Sequence, residues 1–221
     1  MRNKLQEVNV ADQGIPEANP NVSLDLIKIA YEFYRRGWLF GTSGNLSALI
    51  SRSPFVLSIT GSGLDKSMLN LRDIVYVDDL GKVLSGDRKP SSETLLHVAA
   101  IKQRKCSAVF HTHSIWGTIL SKKYLKDGGF QIEGYEMLKG LENVVSHDHA
   151  EWIPVLENSQ DMRSLSVRVN DLLENDKNLH CFLLSGHGLY VWGNNVETAK
   201  RHTEVLEFLL EVHGRLVNSD I

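Results

Sequence analysis

The sequence predicts a single-domain α/β protein with a central, mainly antiparallel sheet flanked by helices. Helical and extended patterns alternate along the 221 residues without a linker, a low-complexity stretch or an internal repeat, which favours one compact unit. Short β-type runs are separated by Gly, Ser, Pro and Asp, as in a meander of neighbouring strands. The hydrophobic content of 42% is enough to bury one sizeable core. We expect a polar N-terminal segment over 1–22 and the folded domain over 23–221.

The first part of the chain predicts one helix followed by three strands. Ser23 is placed to cap a helix that ends near Gly37. Its apolar positions recur at helical spacing and are Leu24, Ile27, Tyr31 and Tyr34. The apolar runs at 46–50, 55–59 and 74–77 predict the strands of the meander.

The rest of the chain alternates between the two patterns. The predicted elements are a helix at 92–105, a strand at 107–111, a helix through Trp116, Ile119 and Leu120, strands at 182–184 and 189–192, and a closing helix at 196–216. The last two strands flank the segment Gly186, His187 and Gly188. The closing helix has an apolar stripe, formed by Ala199, Val205, Leu206, Leu209, Leu210 and Val212.

Composition excludes several classes of partner. With 24 basic and 27 acidic side chains the formal net charge is -3, which gives no general attraction to nucleic acid or to anionic lipid. Cys106 and Cys181 lie in or beside apolar stretches and form no Cys-x-x-Cys pair, which fits a reducing compartment. The N-terminus is too polar for a signal peptide, and no run approaches the length that spans a bilayer. We expect a cytoplasmic protein.

Three histidines have the pattern of a catalytic metal site. His111 and His113 end an apolar, extended run, and residues two apart in a strand point to the same face of the sheet. His187 follows a second apolar run and can bring a third nitrogen from a neighbouring strand. Three protein ligands leave coordination positions open, as catalytic zinc sites do. The alternative is that the His-x-His pair is incidental.

Small polar loops form a second candidate feature. They lie at 41–45, 60–63 and 90–93, next to predicted strands or at the start of a helix. Glycines let the backbone approach an anion, hydroxyls donate hydrogen bonds, and a helix N-terminus presents unpaired N–H groups. Together the loops can cradle one phosphate, although each alone is more often an ordinary turn or cap. Arg88 and Lys89 add positive charge nearby, or are solvated surface residues.

The order and spacing of these segments resemble the class II aldolases, the family of fuculose-phosphate aldolase and ribulose-phosphate 4-epimerase. The resemblance rests on 41–45, 59–63, 89–93, 111–113 and 186–188, and it covers nearly the whole chain. Within that family, the segments 136–140, 153–158 and 190–193 resemble the dehydratases of methionine salvage. The first set of motifs is specific to the superfamily, and the second set points to the branch.

The resemblance implies a role for each motif. His111, His113 and His187 would bind one metal ion per subunit, with Zn²⁺ as the default and Fe²⁺ or Mn²⁺ as alternatives. Glu93 stands where the aldolases keep a glutamate that ligates the metal or acts as base, and Glu136 stands where the dehydratases keep an acid/base glutamate. Which of the two is the main acid/base stays open. The substrate contacts would be Ser43, Gly44, Asn45, Ser62, Gly63, Ser91 and Ser92.

The implied function is metal-dependent dehydration of 5-methylthioribulose 1-phosphate to 2,3-diketo-5-methylthiopentyl 1-phosphate and water. The alternatives are a class II sugar-phosphate aldolase or 4-epimerase, and a non-enzymatic aldolase-like interaction domain. The presence of all three histidines and both glutamates argues against the interaction domain. The resemblance also implies a homotetramer with active sites between neighbouring subunits.

The remaining histidines and tryptophans carry weaker signals. His147 and His149 flank Asp148 and predict either a second metal cluster or, preferably, a polar loop. His97 lies one helical turn after Glu93 and either faces the site or packs behind it. Histidines beside or within amphipathic patterns are interpreted as surface residues, namely His180, His202 and His213. Core or interface positions are expected for Trp116, Trp152 and Trp192.

Overall fold

The structure is a computed structural model that describes residues 20–217, so nearly all of the predicted polar segment 1–22 lies outside the described residues. The helices are α1 (Pro20–Arg35), α2 (Thr94–Arg104), α3 (Ile115–Lys123), α4 (Met162–Asn175) and α5 (Val196–Val217). The strands are β1 (Asn45–Arg52), β2 (Phe55–Thr60), β3 (Ile74–Val77), β4 (Val83–Ser85), β5 (Ala108–Thr112), β6 (Gly129–Glu133), β7 (Ala150–Leu156), β8 (Cys181–Leu184) and β9 (Gly188–Gly193).

The strands form one nine-stranded sheet in the order β4-β3-β2-β1-β5-β9-β8-β7-β6. Every neighbouring pair is antiparallel except β7 and β8, which are parallel and are joined through α4. A parallel pair needs a crossover connection, and α4 supplies it. The predicted fold class, a mainly antiparallel sheet flanked by helices, is therefore confirmed.

Helices cover both faces of the sheet. Alternate residues of β9 show the division, because Tyr190 packs in the apolar cluster with α2 and α4 whereas Val191 packs in the cluster with α3 and α5. A third cluster joins α1 to β1 and β5 on the α5 side. Within residues 20–217, no helix combines the length and apolar character needed to cross a membrane.

The predicted apolar stripe of α1 is wrong. Leu24 and Tyr31 are 38% and 48% exposed, and the buried side chains lie on another stripe at i, i+3, i+4 and i+7, formed by Leu26, Ile29, Ala30 and Phe33. Ser23 is not the cap, since it lies inside the helix, where its hydroxyl is 3.1 Å from the Tyr76 hydroxyl. Both stripes have helical spacing, and the outer one is predicted when the aromatic rings of Tyr31 and Tyr34 are counted as apolar. The helix ends just before Gly37, as expected.

The middle of the chain contains elements that the sequence pattern missed. The segment after α3 is a short loop that leads into the hairpin of β6 and β7 and then into α4. The apolar pattern of β7 is interrupted by Glu151, Trp152 and Pro154, so the sequence does not predict a strand there. The buried residues of α4 recur every fourth position, which is a signal that was available in the sequence.

The strand register places the candidate residues side by side. Asn45, the first residue of β1, pairs with His111 in β5, and His111 pairs in turn with Tyr190 in β9. His113 follows the end of β5, and its backbone N–H donates to the Trp38 carbonyl at 2.8 Å. The strands β1 and β5 therefore bring Asn45 and His111 to the end of the sheet where the turn before β9 carries His187.

The burial of α1 can be tested by truncating one residue from each stripe. Phe33→Ala removes a fully buried ring and should lower the free energy of unfolding by about 3–5 kcal/mol. Tyr31→Ala, from the outer stripe, should lower it by less than about 1 kcal/mol. Urea unfolding at one fixed protein concentration measures both. A larger loss for Tyr31→Ala than for Phe33→Ala would restore the stripe predicted from the sequence.

Candidate metal centre and phosphate pocket

The three predicted ligand histidines converge on one point. His111 and His113 come from the end of β5, and His187 comes from the turn between β8 and β9. The Nε2 atom of His111 lies 2.8 Å from Nε2 of His113 and 3.3 Å from Nε2 of His187. Ring nitrogens so close together need a shared proton or a shared cation, and the set could hold a metal ion.

Neighbouring groups fix the orientation of His111. Its Nδ1 atom donates to the Leu189 carbonyl at 3.0 Å, so the neutral ring leaves Nε2 without a proton and free to bind a cation. The ring stacks on Tyr190 with 3.9 Å between centroids. Burial lowers the pKa of His111 well below its usual value and lowers the pKa of His113 to about 4. Both rings are therefore neutral at neutral pH, as metal ligands must be.

Glu93 is the acidic member of the centre. It lies at the N-terminus of α2. One carboxylate oxygen is 2.9 Å from His187 Nε2, and the other is 3.6 Å from His111 Nε2. Burial raises the pKa of Glu93, but His111, His187 and a hydrogen bond from Asn45 together bring it well below its usual range. Glu93 therefore stands as a carboxylate where a bound cation would lie.

Asn45 holds this carboxylate in place. Its Nδ2 atom donates to Glu93 at 2.6 Å and lies 3.1 Å from the Ser91 hydroxyl. Its Oδ1 atom is hydrogen-bonded to Nε2 of His97, whose Nδ1 lies 2.7 Å from the Ser47 hydroxyl. His97 is fully buried, so it packs behind Asn45 and does not enter the metal cluster.

The opposite face of β5 is tied to α5. Thr112, between His111 and His113, donates its hydroxyl to the Glu207 carboxylate. Glu207 is buried, and burial raises its pKa to about 7, while hydrogen bonds from Ser114 and Thr112 oppose that rise. The buried carboxyl group of Glu207 therefore fixes the segment that carries His111 and His113 from the opposite face of the sheet.

The predicted polar loops meet in one pocket next to Glu93 and His113. Its lining includes all seven predicted substrate contacts, namely Ser43, Gly44, Asn45, Ser62, Gly63, Ser91 and Ser92. The close approach of the 41–45 loop to β5 needs glycine at position 44, where φ is +68° and a Cβ would lie 2.6 Å from the His111 carbonyl oxygen. Arg88 does not line the pocket, because it pairs with Asp73 at 2.9 Å, and Lys89 is exposed.

Lys66 also lines the pocket, and sequence reasoning missed it. The side chain is 1% exposed, and its Nζ atom donates to the carbonyl oxygens of Leu64 at 2.9 Å and Thr42 at 3.2 Å. These bonds connect two of the polar loops. Burial lowers the pKa of Lys66 to about 8, which keeps most of the side chain charged at neutral pH. The sequence feature that could have indicated Lys66 is its position three residues after the 60–63 loop.

Glu136 lies elsewhere in the chain. It begins a short 3₁₀ helix, Glu136–Gly140, between β6 and β7, and its side chain is 71% exposed. Its carboxylate is 2.6 Å from Lys139 Nζ and 3.4 Å from His147 Nδ1. The hydrogen bond with Lys139 lowers its pKa. Within the described chain, the structure brings Glu93 to the three histidines and does not bring Glu136 there.

Two histidines expected at the surface are in fact enclosed. His202 is buried, with Nδ1 2.9 Å from the Trp192 carbonyl, and His180 Nδ1 lies 3.0 Å from the Glu151 carboxylate. His202 lies within an amphipathic helix and His180 lies just before a strand, positions where a polar side chain is usually solvated. The expectation failed because hydrogen bonds satisfy both rings inside the protein.

Proteins of similar sequence identify the family of this chain. The sequence model of the class II aldolase and adducin N-terminal domain matches residues 24–213. A protein of Methylococcus capsulatus is 39% identical over 182 residues, covering 82% of this chain and 87% of its own. A protein of Stenotrophomonas maltophilia is 41% identical over 186 residues, covering 84% and 86%. Both relatives are named methylthioribulose-1-phosphate dehydratase.

Solved structures show the same fold. YgbL from Klebsiella pneumoniae superposes with a TM-score of 0.77 at 25% identity, covering 93% of this chain and 94% of that one. An L-fuculose 1-phosphate aldolase gives a TM-score of 0.75 at 23% identity, covering 92% and 91%, and this likeness speaks for the fold alone. The match over 24–213 and the relatives at about 40% identity show that the chain belongs to the class II aldolase and adducin N-terminal domain family.

Proposed function

We propose that this protein is a metal-dependent hydro-lyase that dehydrates 5-methylthioribulose 1-phosphate. The observation that carries the proposal is the junction of two features, the histidine and Glu93 centre and the pocket of small polar loops beside it. A ketose phosphate can reach both at once, with its phosphate in the loops and its carbonyl end at the centre. The relatives at about 40% identity are named for this reaction, which supports the choice of substrate.

The donor set of the centre suits a divalent transition metal. His111 keeps Nε2 free through its bond to Leu189, and the other two nitrogens meet it. Zn²⁺ is the default for an open three-histidine site, and Fe²⁺ or Mn²⁺ are the alternatives. When bound, the ion would polarise the substrate's carbonyl and stabilise the negative charge that develops as a proton leaves the neighbouring carbon.

The loops and Lys66 would hold the phosphate. Ser62, Gly63 and Ser92 are exposed at the pocket and can donate hydrogen bonds to phosphate oxygens. Lys66 places a buried positive charge at the same pocket, which offsets the charge of a phosphate dianion. This arrangement fixes the distance between the phosphate and the reacting carbons, so it determines which bonds of the ketose lie at the centre.

Dehydration requires two proton transfers. The proton on C3 must be removed, and the C4 hydroxyl must leave as water with a proton supplied to it, after which the enol becomes the 2,3-diketone. Glu93 is an ionised carboxylate held by Asn45, so it can accept the C3 proton. Glu136 is the remaining candidate for the acid/base group that serves the leaving hydroxyl.

Glu136 would act in the site of a neighbouring subunit. Its side chain is 71% exposed, although Lys139 Nζ lies 2.6 Å from it, so a second copy of the chain can reach it. The homotetramer implied by the family resemblance supplies such a copy. At that interface Glu136 would lose water, which raises a carboxyl pKa towards the operating pH of a general acid.

The competing function is that of a class II aldolase or 4-epimerase. Those enzymes need the same centre and phosphate pocket but break or rebuild the C3–C4 bond. The fold likeness to L-fuculose 1-phosphate aldolase fits either reaction. The convergence of three histidines and Glu93 disfavours a non-enzymatic interaction domain, because a domain that only binds a partner has no use for it.

The metal centre is tested by removing one ligand. His187→Ala should remove most of the metal from this centre and nearly all dehydratase activity, because two protein ligands hold a divalent ion weakly. Elemental analysis of purified protein after dialysis measures the loss. His213→Ala, a half-buried histidine bonded to Tyr124, is the control and should keep the metal. An active His187→Ala enzyme would refute the centre.

The phosphate pocket is tested with two adjacent serines. Ser92→Ala should raise KM for the phosphorylated ketose by roughly 10-fold or more, since a hydrogen bond to a charged group contributes about 1.5–3 kcal/mol. Ser91→Ala should also disturb the metal centre, because Ser91 contacts Asn45 and the Glu93 N–H. Steady-state kinetics and metal content separate the two effects. Equal processing of the dephosphorylated ketose would show that the loops are only turns and caps.

The role of Glu136 is tested by mixing defective subunits. Glu136→Gln should lower kcat by about 10²–10⁴-fold with metal content unchanged, and Glu133→Gln on β6 is the exposed control. Subunits with Glu136→Gln keep all three histidines, and subunits with His113→Ala keep Glu136. If Glu136 serves a neighbouring subunit, co-expression of the two variants should restore activity at up to roughly a quarter of the sites, because both kinds of subunit must then meet at one site in the right order.

Product analysis completes this test. The wild type should release water and a diketone phosphate, detected by mass. Release of a two-carbon aldehyde without diketone would favour the aldolase. Mixed oligomers that remain inactive would place Glu136 in its own subunit's site or outside the mechanism.

A further inference from the structure

A second cluster of ligand-type side chains lies at the other end of β8 from His187. Glu151 is the second residue of β7, His149 precedes it by two positions, and His180 comes just before β8. The Glu151 carboxylate is 2% exposed. One of its oxygens lies 2.7 Å from His149 Nε2, and both lie 3.0 Å from His180 Nδ1. A buried carboxylate thus faces two imidazole rings.

His180 is oriented in the same way as the ligand His111. Its Nε2 atom donates to the Glu142 carbonyl at 2.9 Å, so the neutral ring has a lone pair on Nδ1. That lone pair points at two carboxylate oxygens, an arrangement that is repulsive unless a cation lies between them. A backbone carbonyl on the far nitrogen is also the usual support of a metal-binding histidine.

The donor set is that of a zinc-type site. One nitrogen from each histidine and one Glu151 oxygen lie within 4.8 Å of one another. Two histidines and a glutamate bind Zn²⁺ in known sites and leave a position for water. His149 is 32% exposed, so an ion and its water ligand can enter from solvent. The ion would also neutralise the buried carboxylate.

The neighbouring His202 is not part of this set. Its Nδ1 faces the Trp192 carbonyl at 2.9 Å, and its Nε2 accepts the Glu142 backbone N–H at 2.9 Å. Both ring nitrogens are therefore engaged. Glu142 connects the two rings, because its N–H binds His202 and its carbonyl binds His180.

We propose that His149, Glu151 and His180 form a second divalent metal site, separate from the catalytic centre. Its place in the fold gives it a structural role. The connection between β6 and β7 carries Glu136 at its start and His149 at its end, and Glu142 lies between them. An ion that joins His149 and Glu151 to His180 anchors this connection to the start of β8, and thereby holds Glu136 for the reaction.

A proton is the competing cation. Burial lowers the pKa of His180, but the hydrogen bond and charge of Glu151 outweigh it and raise the pKa above its usual value. A protonated His180 would satisfy Glu151 without an ion. The number of metal ions per chain decides between the two arrangements.

The test is the metal content of matched variants, purified with zinc and then dialysed. The wild type should hold about two ions per chain, and His149→Ala, His180→Gln and His187→Ala about one each. The double variant His149→Ala/His187→Ala should hold almost none. His147→Ala removes an exposed histidine from the same segment and should keep both ions.

A wild type with one ion per chain, lost in His187→Ala and kept in His149→Ala, would overturn the second site and leave His180 protonated. Folding is checked separately, because added Zn²⁺ should raise the Tm of His187→Ala and not that of the double variant. Absence of that rise also counts against the site. These readouts do not use dehydratase activity, so the second site and the proposed function fail independently.

Discussion

The hydrogen bond from Asn45 to Glu93 is the contact on which the rest of the site depends. It holds a buried carboxylate against His187 and His111, and the other end of the same amide is fixed by His97. Asn45 is also the last residue of the 41–45 loop and the first of β1. Since a buried charge needs fixed partners, the phosphate pocket and the metal centre cannot move apart without exposing an unpaired group.

Strand alternation gives the centre its rigidity. In β5, His111 faces the cluster while Thr112 reaches the buried Glu207 on α5, so one segment is held from both sides of the sheet. Tyr190 on β9 supports the His111 ring by stacking. Ligands on a strand between two packed layers lose little conformational entropy when an ion binds, because folding has already fixed them.

Local periodicity predicted the centre, and tertiary context decided the rest. Residues two apart in a strand point to the same face, and this was enough to predict that His111 and His113 lie together. The position of His187 in a turn between two apolar runs was enough to predict that it lies near them. Periodicity could not choose between two apolar stripes on α1, because both Ile27 and Phe33 fit a helical repeat. Nor could it show that His180 is enclosed, since its partner Glu151 is distant in sequence and interrupts the apolar pattern of its own strand.

The two ends of β8 lead to two different clusters of ligand-type side chains. His187 follows the strand and belongs to the centre that would polarise the ketose, whereas His180 precedes it and contacts Glu151 at the end of the β6–β7 connection. The chemistry available at the first end is shared by aldolases and dehydratases. Which bond breaks therefore depends on where an acid stands relative to the C4 hydroxyl, and the candidate acid lies on that connection. If the proposed anchor at His180 holds this connection, reaction specificity would depend on a segment at the β6 edge of the sheet, which contributes no ligand to the histidine centre.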